Sequence, residues 1–289
     1  MLLTAVYDLS VGSVAYDFIT WLVRAKLEQQ RRNADRLHVV VLPHTDGLGG
    51  FARHWGPHDA DTTYWRLWHI VMAACPLAGA TVTLAASREV EYSGVLWAPT
   101  GKAHFLGPLV DAARAGEKIP LLSPTAQALR WAQQWTAGGR CVTLTLRANN
   151  GGDGRDSSPD WLPFAEWLRE QGWQPLLLRD TAHALNTDSG HFAELSIDLR
   201  AALYASAAQN CFVNSGPVVL AWHTGAPLLC FNAALPLQPW REHWAKHLSL
   251  ELGDQLPWAT SDQRLIYQPD DLPILREAFA QWTAASSST

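Results

Sequence analysis

The C-terminal half of this chain alternates apolar runs with helical segments, and this pattern limits the possible folds most strongly. The runs CVTLTL (141–146), WQPLLL (173–178), NCFVN (210–214) and APLLCF (226–231) are continuously apolar in character. A strand with this character is covered on both faces. Strands that alternate with helices at this spacing form βαβ crossovers. The sequence therefore predicts an α/β fold with a doubly wound parallel sheet.

The N-terminal half shows the same alternation less regularly. We predict strands at 2–7, 37–43, 81–87 and 94–99, and helices at 16–32, 62–74 and 125–135. Gly138 and Gly139 end the last of these helices, as glycine commonly does. We therefore predict two Rossmann-like domains, 1–137 and 138–289, facing a cleft. A helix is also expected from 239 to 248, and the last helix (272–284) is expected to pack back on the first domain.

Charge and hydropathy exclude several classes of partner. The chain has 289 residues and a formal net charge of −5, and its Lys and Arg residues are scattered, so no nucleic-acid partner is expected. No apolar stretch reaches the roughly 18 residues of a transmembrane helix, and no signal peptide is evident. We expect a cytoplasmic protein and leave peripheral membrane contact open. The four cysteines lack metal-binding spacing, so we expect core residues and no metal site.

Because ligands bind at the carboxyl ends of parallel strands, the polar residues there are the candidates for chemistry. The strongest segment follows the strand NCFVN, where Asn214, Ser215 and Gly216 precede Pro217. Proline suits the first position of a helix, and the free N–H groups of a helix N-terminus bind anions. We predict an anion site here, with Ser215 as donor and Gly216 allowing close approach. The alternative is an ordinary helix cap.

Two other strands end in arginine. Arg147 follows CVTLTL, and a guanidinium there can clamp a diphosphate bidentately and stabilise it as a leaving group. Asn149, Arg155 and Ser157 in the next loop are further candidate contacts. Arg179, after WQPLLL, is predicted to border the base or ribose of a nucleotide. Solvated loop arginines and a surface ion pair are the alternatives.

The N-terminal half offers candidates for a general base. Asp17 follows the first strand and His44 the second, so both are expected to face the cleft. Asp17 as a helix cap, and His44 as a partner of a loop carbonyl, are equally open. The segment DAD (59–61) is a weak metal-binding signal, and Asp61 reads better as a cap. There is no Walker A, GxGxxG or GxSxG motif.

The segment TLRANNGGDGRDSSPDWLPFAEWLREQGWQPLLLRD, followed by NCFVNSGPVVLAW, resembles the donor domain of GT-B glycosyltransferases. It is similar to proteins of bacterial surface-polysaccharide clusters and distantly to fucosyltransferases. The resemblance covers about residues 140–231, and YDLSVGSVAYDF is similar more loosely. It implies that Arg147 is the diphosphate arginine and that Asn214, Ser215 and Gly216 close the phosphate site. The chain departs from the HxRR-like run of fucosyltransferases, having only Leu146-Arg147-Ala148.

The resemblance implies that residues 138–289 bind a nucleotide diphosphate sugar and that residues 1–137 bind the acceptor, a glycan or a small molecule. We expect hexosyl or deoxyhexosyl transfer, metal-independent and inverting, with the nucleotide-sugar as co-substrate and no other cofactor. Two alternatives stay open. One is a non-hydrolysing nucleotide-sugar epimerase, which would need no acceptor. The other is an inactive nucleotide-binding protein with the same fold.

Overall fold

The computed structural model describes residues 1–45, 60–99, 106–147, 156–180, 191–233 and 250–286. The predicted helix at 239–248 and the candidates Asn149 and Arg155 lie outside these ranges. The described residues form two parallel β-sheets with helices packed on them. The predicted α/β class with two Rossmann-like sheet domains is confirmed.

The first sheet belongs to the N-terminal half and has the strand order β3-β2-β1-β4. Its strands are β1 (Leu2–Asp8), β2 (Arg36–Leu42), β3 (Thr81–Leu84) and β4 (Val95–Trp97). Its helices are α1 (Asp17–Arg31), α2 (Ala60–Arg66), which continues as a π-helical segment (Leu67–Met72), a 3-10 helix (Cys75–Ala78) and α3 (Gly107–Arg114). The register pairs Leu2 with Arg36 and Asp8 with Leu42, so β1 and β2 end side by side.

The second sheet has the order β6-β5-β7-β8-β9, with all pairs parallel. Its strands are β5 (Cys141–Leu146), β6 (Gln174–Arg179), β7 (Gln209–Val213), β8 (Leu228–Phe231) and β9 (Gln263–Leu265). The helices are α4 (Ala126–Thr136), α5 (Trp161–Glu170), α6 (Phe192–Leu195), α7 (Ile197–Ser206), α8 (Gly216–Thr224) and α9 (Leu272–Ser286). Strand β9 and helix α3 were not predicted from the sequence.

Two helices near the predicted domain limits pack on the C-terminal sheet domain. The last helix, α9, buries Leu275, Phe279 and Trp282 against α5, and not on the first domain as the sequence suggested. Helix α4 precedes the predicted boundary at 137/138, yet it packs against α7, and Asp198 accepts hydrogen bonds from the backbone and side chain of Thr125. The boundary itself stays a prediction.

The two halves meet through the helices that follow β1 and β7. Helix α1 packs against α8, and their apolar side chains belong to one continuous buried cluster. Thr20 on α1 lies 3.3 Å from Nε2 of His223 on α8, which is fully buried. The backbone N–H of Leu122 donates to the carbonyl of His223 at 2.7 Å. These contacts therefore join helices of the two halves.

A buried carboxylate ties three loops of the C-terminal domain together. Asp270 is 5% exposed and accepts hydrogen bonds from the backbone of Ser158 (2.7 Å), the indole of Trp161 (2.6 Å) and the amide of Asn232 (2.7 Å). Asp270→Ala leaves these donors unpaired, so we expect the free energy of unfolding to fall by about 3 kcal/mol. Urea denaturation measures this, with the exposed neighbour Asp271→Ala as control. Equal midpoints for the two variants would contradict the role of Asp270.

Candidate functional site

The order of the C-terminal sheet places its switch point between β5 and β7. From β5 the chain moves to β6 on one side, and it then returns to β7 on the other. Ligands of open parallel sheets bind outside the carboxyl ends of the strands at this point. Arg147 follows β5 and Ser215 follows β7. The structure thus brings the two strongest candidates to neighbouring strand ends.

Ser215 supplies a buried polar group without a partner. Its side chain is 7% exposed, and its hydroxyl has no hydrogen bond within the described residues, although the residue stands at the N-cap position of α8. A buried hydroxyl without a partner costs free energy, unless a ligand or water satisfies it. The ordinary helix cap, in which this hydroxyl binds the first turn, is absent at this helix. A ligand oxygen at the α8 N-terminus would satisfy the hydroxyl.

Gly216 is required by a side chain of the other half of the molecule. A Cβ built on Gly216 would lie 2.8 Å from Cδ2 of Tyr16. Tyr16 directly precedes α1 and is 6% exposed. The bare Cα of Gly216 was expected to allow the close approach of a diphosphate, whereas in the structure the Tyr16 ring takes that space. Tyr16 therefore brings the N-terminal half to the edge of the predicted anion site.

The loop after β5 is closed by Ser157. Its hydroxyl accepts a hydrogen bond from the backbone N–H of Arg147 at 2.8 Å, and its own N–H donates to the Arg147 carbonyl at 2.8 Å. Ser157 therefore positions Arg147, whereas the sequence analysis expected it to contact phosphate. Arg147 is 8% exposed, so this cationic residue after β5 is buried beside the switch point.

Asn214 has a bracing role in the structure. Its side-chain amide donates to the carbonyl of Ala233 at 2.8 Å, and its backbone N–H donates to the carbonyl of Phe231 at 3.0 Å. These bonds fix the loop after β7 to the end of β8. Asn214 thereby orients Ser215, and the prediction that it contacts phosphate is not tested.

A fully buried arginine supports the end of β6. Arg200 on α7 donates from Nη2 to the carbonyl of Arg179 (2.8 Å) and from Nε to the carbonyl of Ala193 (2.8 Å). Glu194 accepts a hydrogen bond from the Arg179 backbone at 2.6 Å. The main chain of Arg179 is thus fixed, and the predicted contact of its side chain with a nucleotide remains a prediction. Sequence reasoning missed Arg200, because it looked like one polar position on an ordinary helix.

A second cation comes from the N-terminal half. Arg66 ends α2, and it interacts electrostatically with the carboxylate of Asp180, directly after β6. Burial lowers the pKa of Arg66, and the negative charge of Asp180 opposes this shift. The guanidinium stays charged at neutral pH, because arginine titrates far above it. No local sequence signal links residue 66 to this strand end.

The two candidate bases differ in access. Asp17 is exposed at the first position of α1, and the Ser13 hydroxyl lies 3.4 Å from its carboxylate. His44 is 6% exposed, which restricts its access to a substrate.

Asp8, at the end of β1, forms an ion pair with Arg88, with 2.5 Å between Oδ2 and Nη2. Burial alone raises the pKa of Asp8, but hydrogen bonds from Arg88 and Ser10 lower it overall.

The described ranges contain no group of three or more His, Cys, Asp or Glu residues placed to hold a metal ion. Nor do they contain a helix with the length and apolar character needed to cross a bilayer. All four cysteines are free and buried, as predicted for core residues.

The two parallel-sheet domains have the architecture of GT-B glycosyltransferases. No family model and no curated protein sequence matches the chain. Among solved structures, it is similar to the iron-containing dodecameric glycosyltransferase TibC from enterotoxigenic E. coli, with 13% identity, a TM-score of 0.52, and coverage of 98% of this chain and 76% of TibC.

A second TibC structure is that of the dodecameric iron-containing heptosyltransferase in complex with ADP-D-beta-D-heptose. The match covers 100% of this chain and 78% of the TibC chain, with 12% identity and a TM-score of 0.51. The E. coli ADP-heptose heptosyltransferase II covers 99% of this chain and 100% of that one, with 12% identity and a TM-score of 0.48. At these identities the two TibC structures show a shared fold.

Proposed function

We propose that this protein is a glycosyltransferase that moves a sugar from a nucleotide diphosphate sugar to an acceptor hydroxyl. The observation that carries the proposal is the buried Ser215 hydroxyl, which has no partner among the described residues and stands at the N-terminus of α8. The helix dipole and free N–H groups favour an anion at this place. The buried guanidinium of Arg147 lies across the switch point from it. A diphosphate would give the Ser215 hydroxyl a partner and place its negative charge near the Arg147 guanidinium.

The proposed chemistry is a displacement at the anomeric carbon of the donor sugar. The acceptor oxygen forms a bond to this carbon while the bond from the carbon to the diphosphate oxygen breaks. The electron pair leaves with the nucleotide diphosphate, whose negative charge Arg147 and the α8 N-terminus stabilise. A base takes the acceptor proton, and we assign Asp17 first because it is exposed beside Tyr16. The reaction inverts the anomeric carbon and uses the two fixed positive groups in place of a metal ion.

Two observations bear on the identity of the donor sugar. The sequence resemblance favours hexosyl or deoxyhexosyl donors, whereas the TibC structure contains ADP-D-beta-D-heptose. ADP-linked heptose therefore belongs in the donor panel beside GDP-, UDP- and TDP-sugars. We propose that the acceptor is a glycan or a small molecule with a hydroxyl group. We propose that the protein acts in the cytoplasm, and peripheral contact with a membrane stays open.

Loss of the Ser215 hydroxyl is expected to weaken nucleotide binding. Ser215→Ala removes one hydrogen bond to a charged group, which contributes about 1.5–3 kcal/mol, so we expect roughly a ten- to hundredfold rise in Kd. Thermal shifts with ADP, GDP, UDP and TDP, in EDTA, measure this, because a ligand of the folded state raises the midpoint. Ser206→Ala, on the C-terminal end of α7, is the matched control. Unchanged shifts in Ser215→Ala would remove the main support for this site.

A further inference from the structure

One face of the N-terminal sheet is crossed by a short segment. Strands β3 and β4 lie at opposite edges of the sheet, so residues 85–93, the crossover segment, span its face. The backbone N–H of Ala85 donates to the carbonyl of Val41 at 2.9 Å, and the hydroxyl of Thr4 donates to the carbonyl of Ser93 at 2.5 Å. Parallel sheets are normally covered by helices on both faces. This segment is a thinner cover than a helix.

A cavity of about 470 Å³ lies between the crossover segment and the sheet. Its volume is far above the roughly 30 Å³ of one water molecule and falls within the about 300–1,000 Å³ of small-molecule sites. Val6, Val40 and Leu42 form a separate small cluster beneath the segment, apart from the main core. Val40 of this small cluster lines the cavity, so the cavity lies apart from the main core.

The polar groups of this cavity suit a neutral ligand that carries hydroxyl groups. Thr83 lies on its sheet side and Glu89, Glu91 and Tyr92 on its segment side, and no Lys or Arg is among its described lining residues. Nδ1 of His38 is 2.8 Å from the Thr81 hydroxyl, and its other ring nitrogen has no hydrogen bond among the described residues. Burial lowers the pKa of His38, so the ring is neutral at neutral pH. Carboxylates accept hydrogen bonds from vicinal hydroxyls, while anionic ligands are repelled.

We propose that this cavity binds a neutral saccharide unit of the acceptor. The cavity reaches the carboxyl ends of the strands at Ser87, next to Arg88. Arg88 donates to Asp8 at 2.8 Å and to the carbonyl of Pro43 at 2.7 Å, so this end of the cavity adjoins the ends of β1 and β2. A glycan can occupy the cavity with one unit and place a neighbouring unit at the strand ends. The inference rests on the proposed transfer, since it names the class of acceptor.

Saturation-transfer NMR on the full chain without donor tests this inference. The probes are methyl glycosides of neutral hexoses and of N-acetylglucosamine, with methyl glucuronide as the anionic comparison. We expect signals from one or more neutral glycosides and none from the glucuronide. Thr83→Trp fills the cavity and should abolish the signals. Gln133→Trp, at an exposed position of α4, should keep them. Glu89→Ala/Glu91→Ala, at exposed positions, should weaken binding about tenfold.

Nucleotide binding and glycoside binding are measured separately, so this inference and the proposed function can fail independently. Nucleotide-induced thermal shifts that persist while no neutral glycoside binds, or glycoside signals that survive Thr83→Trp, would overturn the cavity proposal alone. Glycoside binding that depends on Thr83, without any nucleotide shift, would keep the saccharide site and count against transfer. Thermal midpoints of the variants show that they fold.

Discussion

Arg147→Ala is expected to lower kcat by about 100- to 1,000-fold, because a buried group that stabilises the leaving diphosphate is lost at the step where charge develops. The main chain of Arg147 is fixed beside the switch point by its hydrogen bonds with Ser157. Arg147→Lys keeps the charge but not the bidentate geometry, so its kcat should lie between that of the wild type and that of Arg147→Ala. Product formation from the preferred nucleotide-sugar, measured in EDTA, gives these rates.

Arg140→Ala is the matched control for this prediction. Arg140 precedes the same strand at its amino end, where its side chain donates to the carbonyls of Gly172 and Gln171, both at 2.8 Å. Its removal should leave kcat unchanged at temperatures where the variant is folded. If Arg147→Ala keeps the wild-type kcat, another group stabilises the leaving diphosphate. If transfer requires Mn²⁺ and survives the substitution, the metal-independent mechanism is wrong.

The stability of the protein is expected to fall in mild acid because of His223. Burial lowers the pKa of His223 from its ordinary 6.5 to about 3, so the unfolded chain binds the proton more tightly than the folded one. Stability is therefore complete above pH 6.5 and decreases as the pH falls from there toward about 3. At pH 5 the loss from this one group is about 2 kcal/mol.

Urea denaturation at pH 7.5 and pH 5 measures this effect in the wild type and in His223→Gln. The variant cannot be protonated, and its amide can still bond to Thr20, so the fall in stability between the two pH values should be smaller by about 2 kcal/mol. The exposed His69→Gln should keep the wild-type pH dependence. An equal fall in all three proteins would show that protonation of other groups destabilises the fold in acid.

Long, continuously apolar strands could be predicted from the sequence, whereas short elements could not. The runs that became β5, β6, β7 and β8 were recognised because two covered faces leave a clear composition. Strand β9 has three residues, and Arg264 between two buried neighbours carries no such signal. The packing of α9 against α5 depends on segments distant in the sequence, so the sequence of the helix alone does not identify its neighbour.

The strand ends gave the candidate site, but the contacts between the two halves could not be predicted. Arg147 and Ser215 were found because the position of a residue after a parallel strand is a local property of the sequence. Tyr16, Arg66 and Arg200 reach the same place through packing of distant segments. Gly216 shows the difference, since a glycine before a helix indicates crowding without naming the neighbour that crowds it.

The contact between α1 and α8 has a consequence for engineering. Exchanging the C-terminal half between related proteins would also exchange one side of a buried helix pair, including the partner of Thr20. A chimera joined at the predicted boundary between residues 137 and 138 would expose unmatched apolar surface and a histidine without its hydroxyl partner. Hybrid proteins of this type should therefore transfer α1 together with the C-terminal half, so that α1 and α8 stay matched.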